Sequence, residues 1–363
     1  MRIDQIEVVP LWVPMQNTQP VPVGGDTSSA HTLVRVTTNT GHQGYGEVFR
    51  LAPAAAQALI HQEFRPLLIG QDPRQIERLW HKLYDRSFRY GRAGIVLHAI
   101  SGIEVALWDI LGQLAGLPVY QLLGGACRDA VPAYASLHRY ATPAEAAEVA
   151  QRCVAQGYRA LKLHQQDVAS VAAVRAAIGP DITLMLDASG AWTPRDALAA
   201  AQALAEHDLA WLEEPLQRMD DYDGLRWLRD RSPVPIAAGE NAYSHWGFRE
   251  LITRRAVDIV QPDVIKVGGI LACRKVMAMA EAHDLEISPH CFYYGPGIAA
   301  TLHLCMASTR ARFIEINPID LETWYMQPAL RPEHGQLIPS TAPGLGITLD
   351  TTSLQAHRRT FAD

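Results

Sequence analysis

The feature that most constrains the fold is a repeated alternation of short apolar runs with helical stretches in the second half of the chain. Eight apolar runs of six residues begin about 23 to 29 residues apart, and the segments between them are rich in alanine and leucine. This interval fits one strand, one helix and two short loops, so eight such units predict a (β/α)8 barrel. The runs cover residues 131–136, 160–165, 183–188, 210–215, 235–240, 259–264, 286–291 and 312–317.

Local signals in the segments between the runs support helices at the expected places. Thr142 and Thr193 each precede a proline, and an acidic residue follows in the first turn, which is typical of a helix N-terminus. A doubly wound sheet would show a similar alternation. That fold rarely has eight units and usually carries a glycine-rich nucleotide loop, but neither GxGxxG nor GxxxxGK[ST] occurs here. The barrel is therefore the favoured interpretation.

The first part of the chain follows a different pattern. Residues 1 to about 50 read as strands separated by glycine-containing turns, and residues 53–123 have apolar residues three and four apart, as in helices. This predicts an α+β domain over 1–125 and a barrel domain over 126–320. The regular repeat ends there, and we expect the segment 321–363 to fold back onto the first domain.

Composition excludes several classes of protein. The 363 residues include 32 Lys and Arg against 38 Asp and Glu, a net charge of −6 that offers no basic surface for nucleic acid. The first residues do not resemble a signal peptide, and no run of about 18 apolar residues follows. We therefore expect no membrane partner and a cytoplasmic location. The five cysteines never form CxxC, so we expect buried thiols, neither disulfides nor a zinc ribbon.

Ionisable residues lie at the ends of nearly all the predicted strands. In a barrel of this type the chemistry takes place at the C-terminal ends of the strands, where alternate side chains point inward. On three of the runs the alternate positions are apolar, as expected if they face outward: Leu161 and Leu163, Leu184 and Leu186, and Ile314 and Ile316. The candidate site residues identified by this pattern are Lys162, His164, Asp187, Glu213, Glu240, Asp263, His290 and Glu315.

Three of these residues form a candidate metal site. Asp187, Glu213 and Glu240 end three adjacent strands, and their charges would repel one another unless a cation balanced them. An all-oxygen ligand set suits Mg²⁺, with Mn²⁺ as a possible substitute, and such a site usually leaves positions for water and a substrate oxygen. The alternative is that each acid is a solvated loop charge or caps the following helix.

Two histidines are candidates for proton transfer. Asp263 can hold one ring nitrogen of His290 and leave the other free to move protons. Lys162 should disfavour the charged form of His164 and keep it a neutral base. The alternatives are a structural hydrogen bond at His290, and a salt link from Lys162 and His164 to the third strand.

In order along the chain, seven motifs carry these residues: GYRALKLH, LDASGAW, WLEEP, AGEN, QPDVIKVGG, SPH and FIEIN. Together they resemble the enolase superfamily, and within it the mandelate racemase and muconate lactonizing enzyme family, over essentially the whole chain. The resemblance implies a (β/α)7β barrel under an N-terminal α+β capping domain that the C-terminal tail completes. It also implies Mg²⁺ on Asp187, Glu213 and Glu240, with Glu214 supporting the site.

The resemblance further implies abstraction of the proton α to a carboxylate, which gives an enediolate. The pair Asp263 and His290 marks the mandelate racemase type of site. By the same resemblance, Glu315 would hydrogen-bond a carboxylate oxygen of the substrate, and Ser136 and Asn241 would make further polar contacts.

The sequence departs from the family pattern at one position. His164 stands where the family usually has a second lysine, the base, and a histidine can still serve as base or acid. Lys266 matches the base of the muconate lactonizing type, and with Asp263 and His290 present we expect it to have an auxiliary role.

Among possible reactions, dehydration of a sugar acid (an aldonate or aldarate) to a 2-keto-3-deoxy acid is preferred. The segment 24–31, which contains Ser29 and His31, is polar and suits a hydroxylated substrate if it closes on the pocket. Tyr293, Tyr294 and Trp324 could add stacking and hydroxyl contacts, although such aromatic residues are as often packing.

Two alternatives differ from a dehydratase. One is a racemase, epimerase or cycloisomerase of an α-substituted carboxylate, with His164 and His290 on opposite faces of the substrate. The more distant one is a non-catalytic, metal-dependent regulator on the same fold. In either enzymatic case we expect a small carboxylate as the partner and a homo-oligomer as the assembly.

Overall fold

The computed structural model of the chain describes residues 1–16, 20–24 and 28–359. Gly25, Asp26 and Thr27, which belong to the predicted polar segment, lie outside these described residues. Within them the fold has three parts: an antiparallel sheet with helices, a parallel barrel, and a C-terminal segment that contacts both.

The first part is a capping unit built on a three-stranded antiparallel meander, as the alternating pattern predicted. Its strands lie in the order β1-β2-β3, and they cover Ile3–Pro14, Ser28–Thr38 and Gln43–Val48. The helices that follow are α1 (Pro53–Leu59), α2 (Arg65–Leu68), α3 (Ile76–Arg86), α4 (Ile95–Ala115) and α5 (Val119–Leu122), with a π-helical turn over Ile60–Phe64 and a 3-10 turn over Ser87–Arg89.

Helix α4 is the central helix of this unit and packs tightly against β3. A Cβ atom placed on Gly46 would overlap the carbonyl oxygen of Gly102, so glycine is required where helix and strand meet. By length and composition alone, the 21 residues of α4 could cross a membrane, but 89% of its most apolar window is buried within the fold. The apolar composition of α4 is therefore explained by its burial in the core of the capping unit.

The barrel strands fall on the eight predicted runs, although the later ones are shorter than predicted. All are parallel, in the order β10-β9-β8-β7-β6-β5-β4-β11, and a parallel bridge between Ile287 and Ala311 joins the two end strands. The strands are β4 (Val131–Ser136), β5 (Ala160–Leu163), β6 (Thr183–Asp187), β7 (Leu209–Glu213), β8 (Ile236–Ala238), β9 (Ile259–Val260), β10 (Glu286–Ile287) and β11 (Ile314–Ile316).

Seven helices alternate with these eight strands over residues 131–316, which the structure describes without a gap. The architecture is therefore (β/α)7β, as the family resemblance implied, and the count of eight complete units was wrong because the tail follows the last strand directly. The helices are α6 (Pro143–Ala155), α7 (Val168–Ile178), α8 (Pro194–Leu204, then a 3-10 turn over Ala205–His207), α9 (Tyr222–Arg229), α10 (Ser244–Thr253), α11 (Ile270–Ala282) and α12 (Pro296–Met306).

Both predicted helix caps are confirmed. The Thr142 hydroxyl accepts from the Glu145 amide at 3.3 Å, and the Glu145 carboxylate accepts in return from the Thr142 amide at 2.9 Å. This reciprocal arrangement starts α6. The Thr193 hydroxyl accepts from the Asp196 amide at 3.3 Å and starts α8.

The interior of the barrel is packed with side chains, so the cavity lies above it, at the C-terminal ends of the strands. One buried layer comes from alternate positions of successive strands, where side chains of the same parity point inward. Its members are Tyr134, Ala160, Met185, Trp211, Ala237 and Ile259.

The C-terminal segment contacts both other parts. Strand β12 (Met326–Gln327) pairs with β14 (Thr348–Leu349), and β13 (Gln336–Leu337) pairs with β4 of the barrel. After α13 (Thr351–His357), the Arg359 amide donates to the Pro10 carbonyl of β1 at 3.1 Å. The fold thus has a capping domain completed by the tail. The division at residues 125 and 320 stays a prediction.

The cysteines are free, and four of them are buried as predicted. Cys127 is exposed, so the expectation of buried thiols was wrong there. It lies in the glycine-rich connection between α5 and β4, where its amide donates to the Met306 carbonyl at 2.8 Å.

Candidate active site

A cavity of about 380 Å³ lies between the strand ends and the capping unit. Four of the predicted site residues line it: His164, Asp187, Glu240 and His290. The capping unit contributes Phe49 and Arg50, and the barrel contributes the other lining residues Arg139, His138, Gln166, Ser189, Glu214, Met219 and Phe292.

The three acids predicted to hold a metal are brought together. One carboxylate oxygen from each of Asp187, Glu213 and Glu240 lies within 4.8 Å of the others. Asp187 and Glu213 are paired in register on adjacent strands, and Gly239, with a φ of 136°, turns the chain so that Glu240 reaches them. Asp187 and Glu213 are buried and Glu240 is partly buried, and an all-oxygen, like-charged set of this kind has the chemistry that a hard divalent cation such as Mg²⁺ requires.

Lys162 lies beneath the cavity and is fully buried. Its Nζ atom is 2.6 Å from Glu213 Oε1, 2.9 Å from Glu315 Oε1 and 3.7 Å from Asp187 Oδ2. Burial disfavours its charge, but these carboxylates outweigh burial and hold the pKa of Lys162 well above its ordinary value. The positive charge of Lys162 therefore offsets the negative charges of the acidic cluster from below. The lysine does not line the cavity.

His164 lines the cavity with both ring nitrogens engaged. Its Nδ1 atom lies 2.6 Å from the Leu137 carbonyl and its Nε2 atom 3.2 Å from Asp187 Oδ2. Burial and Lys162 favour the neutral ring, but Asp187 and the Leu137 carbonyl prevail, and the pKa of His164 is raised. Lys162 favours the neutral ring, as expected, but the expectation that it keeps this histidine neutral was wrong for the protein side chains alone, because Asp187 outweighs it.

His290 and Asp263 form the contact that the sequence predicted. His290 Nδ1 lies 2.6 Å from Asp263 Oδ2, and His290 Nε2 lies 2.8 Å from Glu240 Oε2. Burial opposes protonation of the ring, but Glu240, Glu315 and Asp263 favour it and raise the pKa of His290 well above its ordinary value. The raised pKa favours the protonated ring, whose Nε2–H is then directed at Glu240, and a protonated imidazole can donate a proton.

Lys266 and Asn241 support Glu240. Lys266 Nζ donates to Asn241 Oδ1 at 2.7 Å and to Glu240 Oε1 at 3.3 Å, and it lies 4.6 Å from the centre of the Phe49 ring. Asn241 Nδ2 donates to Glu240 Oε1 at 2.8 Å. Both polar groups of Asn241 therefore face protein partners, and it does not line the cavity.

Glu315 and Ser136 lie at the level of Lys162, fully buried. Glu315 accepts from the Cys291 amide at 2.8 Å. Burial would raise its pKa, but Lys162, His290, the Ser136 hydroxyl and the Cys291 amide lower the pKa of Glu315 to about 2. An ionised carboxylate can only accept hydrogen bonds, so Glu315 would need a proton to make the predicted bond to a substrate carboxylate.

Glu214 supports the turn that carries Glu240. Its backbone is in the left-handed region, with a φ of 40°, and its Oε1 atom accepts from the Gly239 amide at 2.9 Å. Burial, followed by the nearby Glu240, raises the pKa of Glu214 to about 8.

Predicted substrate contacts from the capping unit and from the loop after β10 surround a second, smaller cavity of about 20 Å³, which shares Arg50, His138 and Phe292 with the larger one. Ser29, His31, Tyr293 and Tyr294 line this smaller cavity.

Two of the predicted aromatic contacts are used in packing. The Tyr294 hydroxyl donates to the Ile319 carbonyl at 2.8 Å, and the ring packs edge-to-face against Trp324 at 5.8 Å. Trp324 lines neither cavity.

The sequence reasoning missed two cationic residues in the larger cavity, Arg50 and Arg139. Each follows a strand by two or three residues, in the loop, where parity along the strand no longer applies. Extending the strand-end rule into the loops after β3 and β4 could have identified them.

Comparison with known protein families agrees with this geometry. The model described as mandelate racemase / muconate lactonizing enzyme, N-terminal domain, matches residues 5–124, and the model described as enolase C-terminal domain-like matches residues 145–353. The chain belongs to this family of the enolase superfamily. The residues matched by the second model include the acidic triad, His164 and His290.

Individual members of the family carry different activities. The chain is 35% identical to D-galactarolactone cycloisomerase of Agrobacterium fabrum over 91% of each chain. It is 33% identical to arabinonate dehydratase of Saccharolobus solfataricus over 86% of this chain and 87% of that protein. A racemase from Streptomyces coelicolor, solved with bound magnesium, superposes with a TM-score of 0.88 at 29% identity, over 98% of this chain and all of the other.

Proposed function

We propose that this enzyme removes the proton α to the carboxylate of a sugar acid in a Mg²⁺-dependent reaction, forms an enediolate, and eliminates the β-hydroxyl to give a 2-keto-3-deoxy acid. The observation that carries this proposal is that two imidazoles flank the acidic triad in one cavity. His164 contacts Asp187 and His290 contacts Glu240. The dehydratases among the relatives support the same reaction class.

Asp187, Glu213 and Glu240 would hold the magnesium ion. Their convergence within 4.8 Å fits a cation that prefers oxygen ligands. When bound, Mg²⁺ supplies the positive charge that stabilises the enediolate. Lys162 would act as a positioning residue, because its bonds to Glu213 and Glu315 fix these carboxylates from below.

His164 would take the α-proton at Nε2. The bond from Nδ1–H to the Leu137 carbonyl fixes the ring and leaves Nε2 as the acceptor once its proton is lost. Asp187 raises the pKa of His164, and a cation held by Asp187 would weaken that effect and favour the neutral ring that a base requires.

His290 would protonate the leaving β-hydroxyl from Nε2. The electron pair left by the C2–H bond, held in the enediolate, forms the C2–C3 double bond as the C3–O bond breaks. The protonated hydroxyl leaves as water, and the resulting enol becomes the keto acid. Asp263 holds Nδ1–H at 2.6 Å and stabilises the charged ring before transfer. We assign Lys266 an auxiliary role through Glu240. Ser29, His31 and Tyr294 line the smaller cavity and remain proposed substrate contacts. Glu315, Ser136, Asn241 and Trp324 line neither cavity and would act through the side chains that they contact.

A screen of acid sugars tests the proposal. The purified protein is incubated with Mg²⁺ and a library of aldonates and aldarates in D₂O, and keto acids are detected with semicarbazide. We expect at least one acid to give a keto acid that depends on Mg²⁺. A complete library without keto product would refute dehydration.

Cycloisomerisation or racemisation is the second candidate, because the 35% identical relative is a cycloisomerase and one structural relative is a racemase. In that case deuterium would enter recovered substrate or an isomeric product without keto acid. Binding of Mg²⁺ and acid sugars with neither exchange nor turnover would instead indicate the non-catalytic regulator. A cytoplasmic location and a homo-oligomeric assembly stay predictions.

A further inference from the structure

The charges that line the larger cavity are unevenly paired. Each of its acids has a partner in the protein: Asp187 faces His164, Glu240 faces His290 and Lys266, and Glu214 accepts from the Gly239 amide. Arg50 and Arg139 line the same cavity. In the part of the chain that the structure describes, neither guanidinium forms a salt bridge with a carboxylate.

Arg50 lies on the side of the cavity nearer the capping unit. It also lines the smaller cavity with Ser29 and His31, whereas Asp187 and Glu240 line only the larger one. A ligand with one end at the triad could thus extend toward Arg50.

Arg139 is tied to the same side by its backbone. Its carbonyl accepts from the Val23 amide of the capping unit at 2.7 Å, so the loop after β4 and the chain between β1 and β2 are joined there. The two arginines therefore come from the two parts of the protein that enclose the cavity. Such an arrangement can bind one anionic group from two sides, and the planar guanidinium forms paired hydrogen bonds with a carboxylate.

One residue that lines the smaller cavity carries an unpartnered polar atom. His31 is 2% exposed, and its Nδ1 atom lies 3.2 Å from Glu47 Oε1, which orients the ring. The opposite ring atom, Nε2, is buried without a hydrogen-bond partner among the described residues. A cavity of about 20 Å³ has room for a single water, so the charged end of a ligand is left to the arginines of the larger cavity.

We propose that the substrate is a sugar dicarboxylate whose second carboxylate is bound by Arg50 and Arg139, and that these arginines set the preference for diacids over monoacids. The proposal rests on the proposed function, in which the first carboxylate lies at the acidic triad. An aldonate presents a neutral hydroxymethyl group to the arginines, so it gains no charge-assisted hydrogen bonds there.

Matched pairs of acids test this preference. Each hexarate is compared with the hexonate of the same configuration, for example galactarate with D-galactonate and D-glucarate with D-gluconate, in the presence of Mg²⁺. We expect kcat/KM for the best hexarate to exceed that for its hexonate by about 100-fold, the size expected when charge-assisted hydrogen bonds are absent. Equal or higher kcat/KM for the hexonate would overturn the proposal.

Variants assign the effect to the two residues. Arg50→Met and Arg139→Met should each lower kcat/KM for the hexarate by roughly 10- to 100-fold, mainly through KM, and change the hexonate value less than about threefold. Arg50→Lys keeps the charge and should recover part of the loss. Arg78→Met removes an exposed charge on α3 and should change neither substrate. Equal losses for both acids would show a structural effect and contradict the assignment.

A binding measurement separates this proposal from the proposed reaction. Calorimetric titration of the Mg²⁺-loaded His290→Asn variant with each acid requires no turnover. We expect the hexarate to bind at least tenfold more tightly than the hexonate, and Arg50→Met in the same background to remove that difference. If the unaltered protein yields no keto acid but this binding preference is present, the reaction proposal fails and the diacid subsite stands. Equal binding of both acids refutes the subsite.

Discussion

Two sets of carboxylates in this protein differ in their partners: one set contacts backbone amides, and the other contacts cationic side chains. On the capping helix α4, Glu104 accepts from the Ile270 and Leu271 amides at 2.8 Å each, and Asp109 accepts from the Tyr45 and Leu345 amides at 3.1 and 2.8 Å. No cationic side chain pairs with either acid among the described residues. The strand-end acids of the barrel instead face lysines and histidines.

The pKa values follow the partners. Burial outweighs the amide hydrogen bonds on α4, raising the pKa of Glu104 to about 8 and that of Asp109 to about 6. At the strand ends burial acts in the same direction, but His290 and Lys266 outweigh it and hold the pKa of Glu240 well below its ordinary value. Burial alone therefore does not identify a functional acid. The α4 acids join the capping unit to neighbouring backbone. Among the strand-end acids, the pKa values of Asp187 and Glu240 are lowered, which favours their charged forms, whereas burial raises the pKa of Glu213 in spite of Lys162.

The largest effect is expected from removing the His290 imidazole, which contacts the strand-end acids Asp263 and Glu240. His290→Asn should lower kcat for keto-acid formation by at least about 1000-fold, because the proton donor for the leaving hydroxyl is lost. Deuterium exchange at the α-carbon should persist if His164 is the base. The measurement is the keto-acid assay together with exchange into recovered substrate.

His81→Asn, on the surface of α3, is the matched control and should leave kcat unchanged. Because His290→Asn also leaves Asp263 and Glu240 without their partner, its Mg²⁺ affinity and thermal unfolding should be measured in parallel. A folded, Mg²⁺-binding variant with nearly normal turnover would show that His290 is not the acid.

The second prediction makes the same chemical change in each set of acids. Glu240→Gln removes a charged ligand from the triad and should weaken Mg²⁺ binding at least tenfold in calorimetry. Glu104→Gln also neutralises a buried carboxylate, but it should leave Mg²⁺ affinity within about twofold. Equal losses in both variants would mean that Mg²⁺ affinity reports overall folding. Unchanged affinity in Glu240→Gln would remove Glu240 from the metal site.

Much of the barrel and of the acidic cluster could be predicted from the sequence because both follow local rules. Asp187 and Glu213 end apolar runs, and the ends of parallel strands meet in space, so their proximity follows once the strands are found. The dyad of Asp263 and His290 follows in the same way from neighbouring strands.

The role of Glu104 could not be predicted, because its partners are backbone amides 166 and 167 positions away. Every residue type except proline has a backbone amide, so the sequence does not show which amides bind this carboxylate. The charge of His164 was mispredicted for a related reason. The sequence shows Lys162 two positions away, but it does not show that Asp187 outweighs the lysine at this ring, or that Leu137 presents a carbonyl to it.

The third prediction concerns the pH dependence of stability through Glu104. An acid with a raised folded-state pKa contributes stability that is fully present below its ordinary pKa of 4.5 and is lost as pH rises through about 8. Glu104→Gln loses one acceptor oxygen, so near pH 5 it should unfold more easily by about 1–3 kcal/mol. That difference should shrink as pH rises toward 9, because only the unaltered protein loses stability. Denaturant unfolding at pH 5, 7 and 9 measures it, and a constant difference would contradict the raised pKa.

The smallest effect on stability is expected at Asp109. The pH range over which this effect changes should differ from that of Glu104. Its folded-state pKa of about 6 lies closer to its ordinary value of 3.8, so its contribution is already lost by about pH 6 to 7. Asp109→Asn removes one of the two acceptor oxygens, and its cost should decline between about pH 4 and 6 and then stay constant to pH 9. A decline that continues to pH 9, as expected for Glu104→Gln, would mean that the amides of Tyr45 and Leu345 stabilise the ionised carboxylate less than their 3.1 and 2.8 Å contacts indicate.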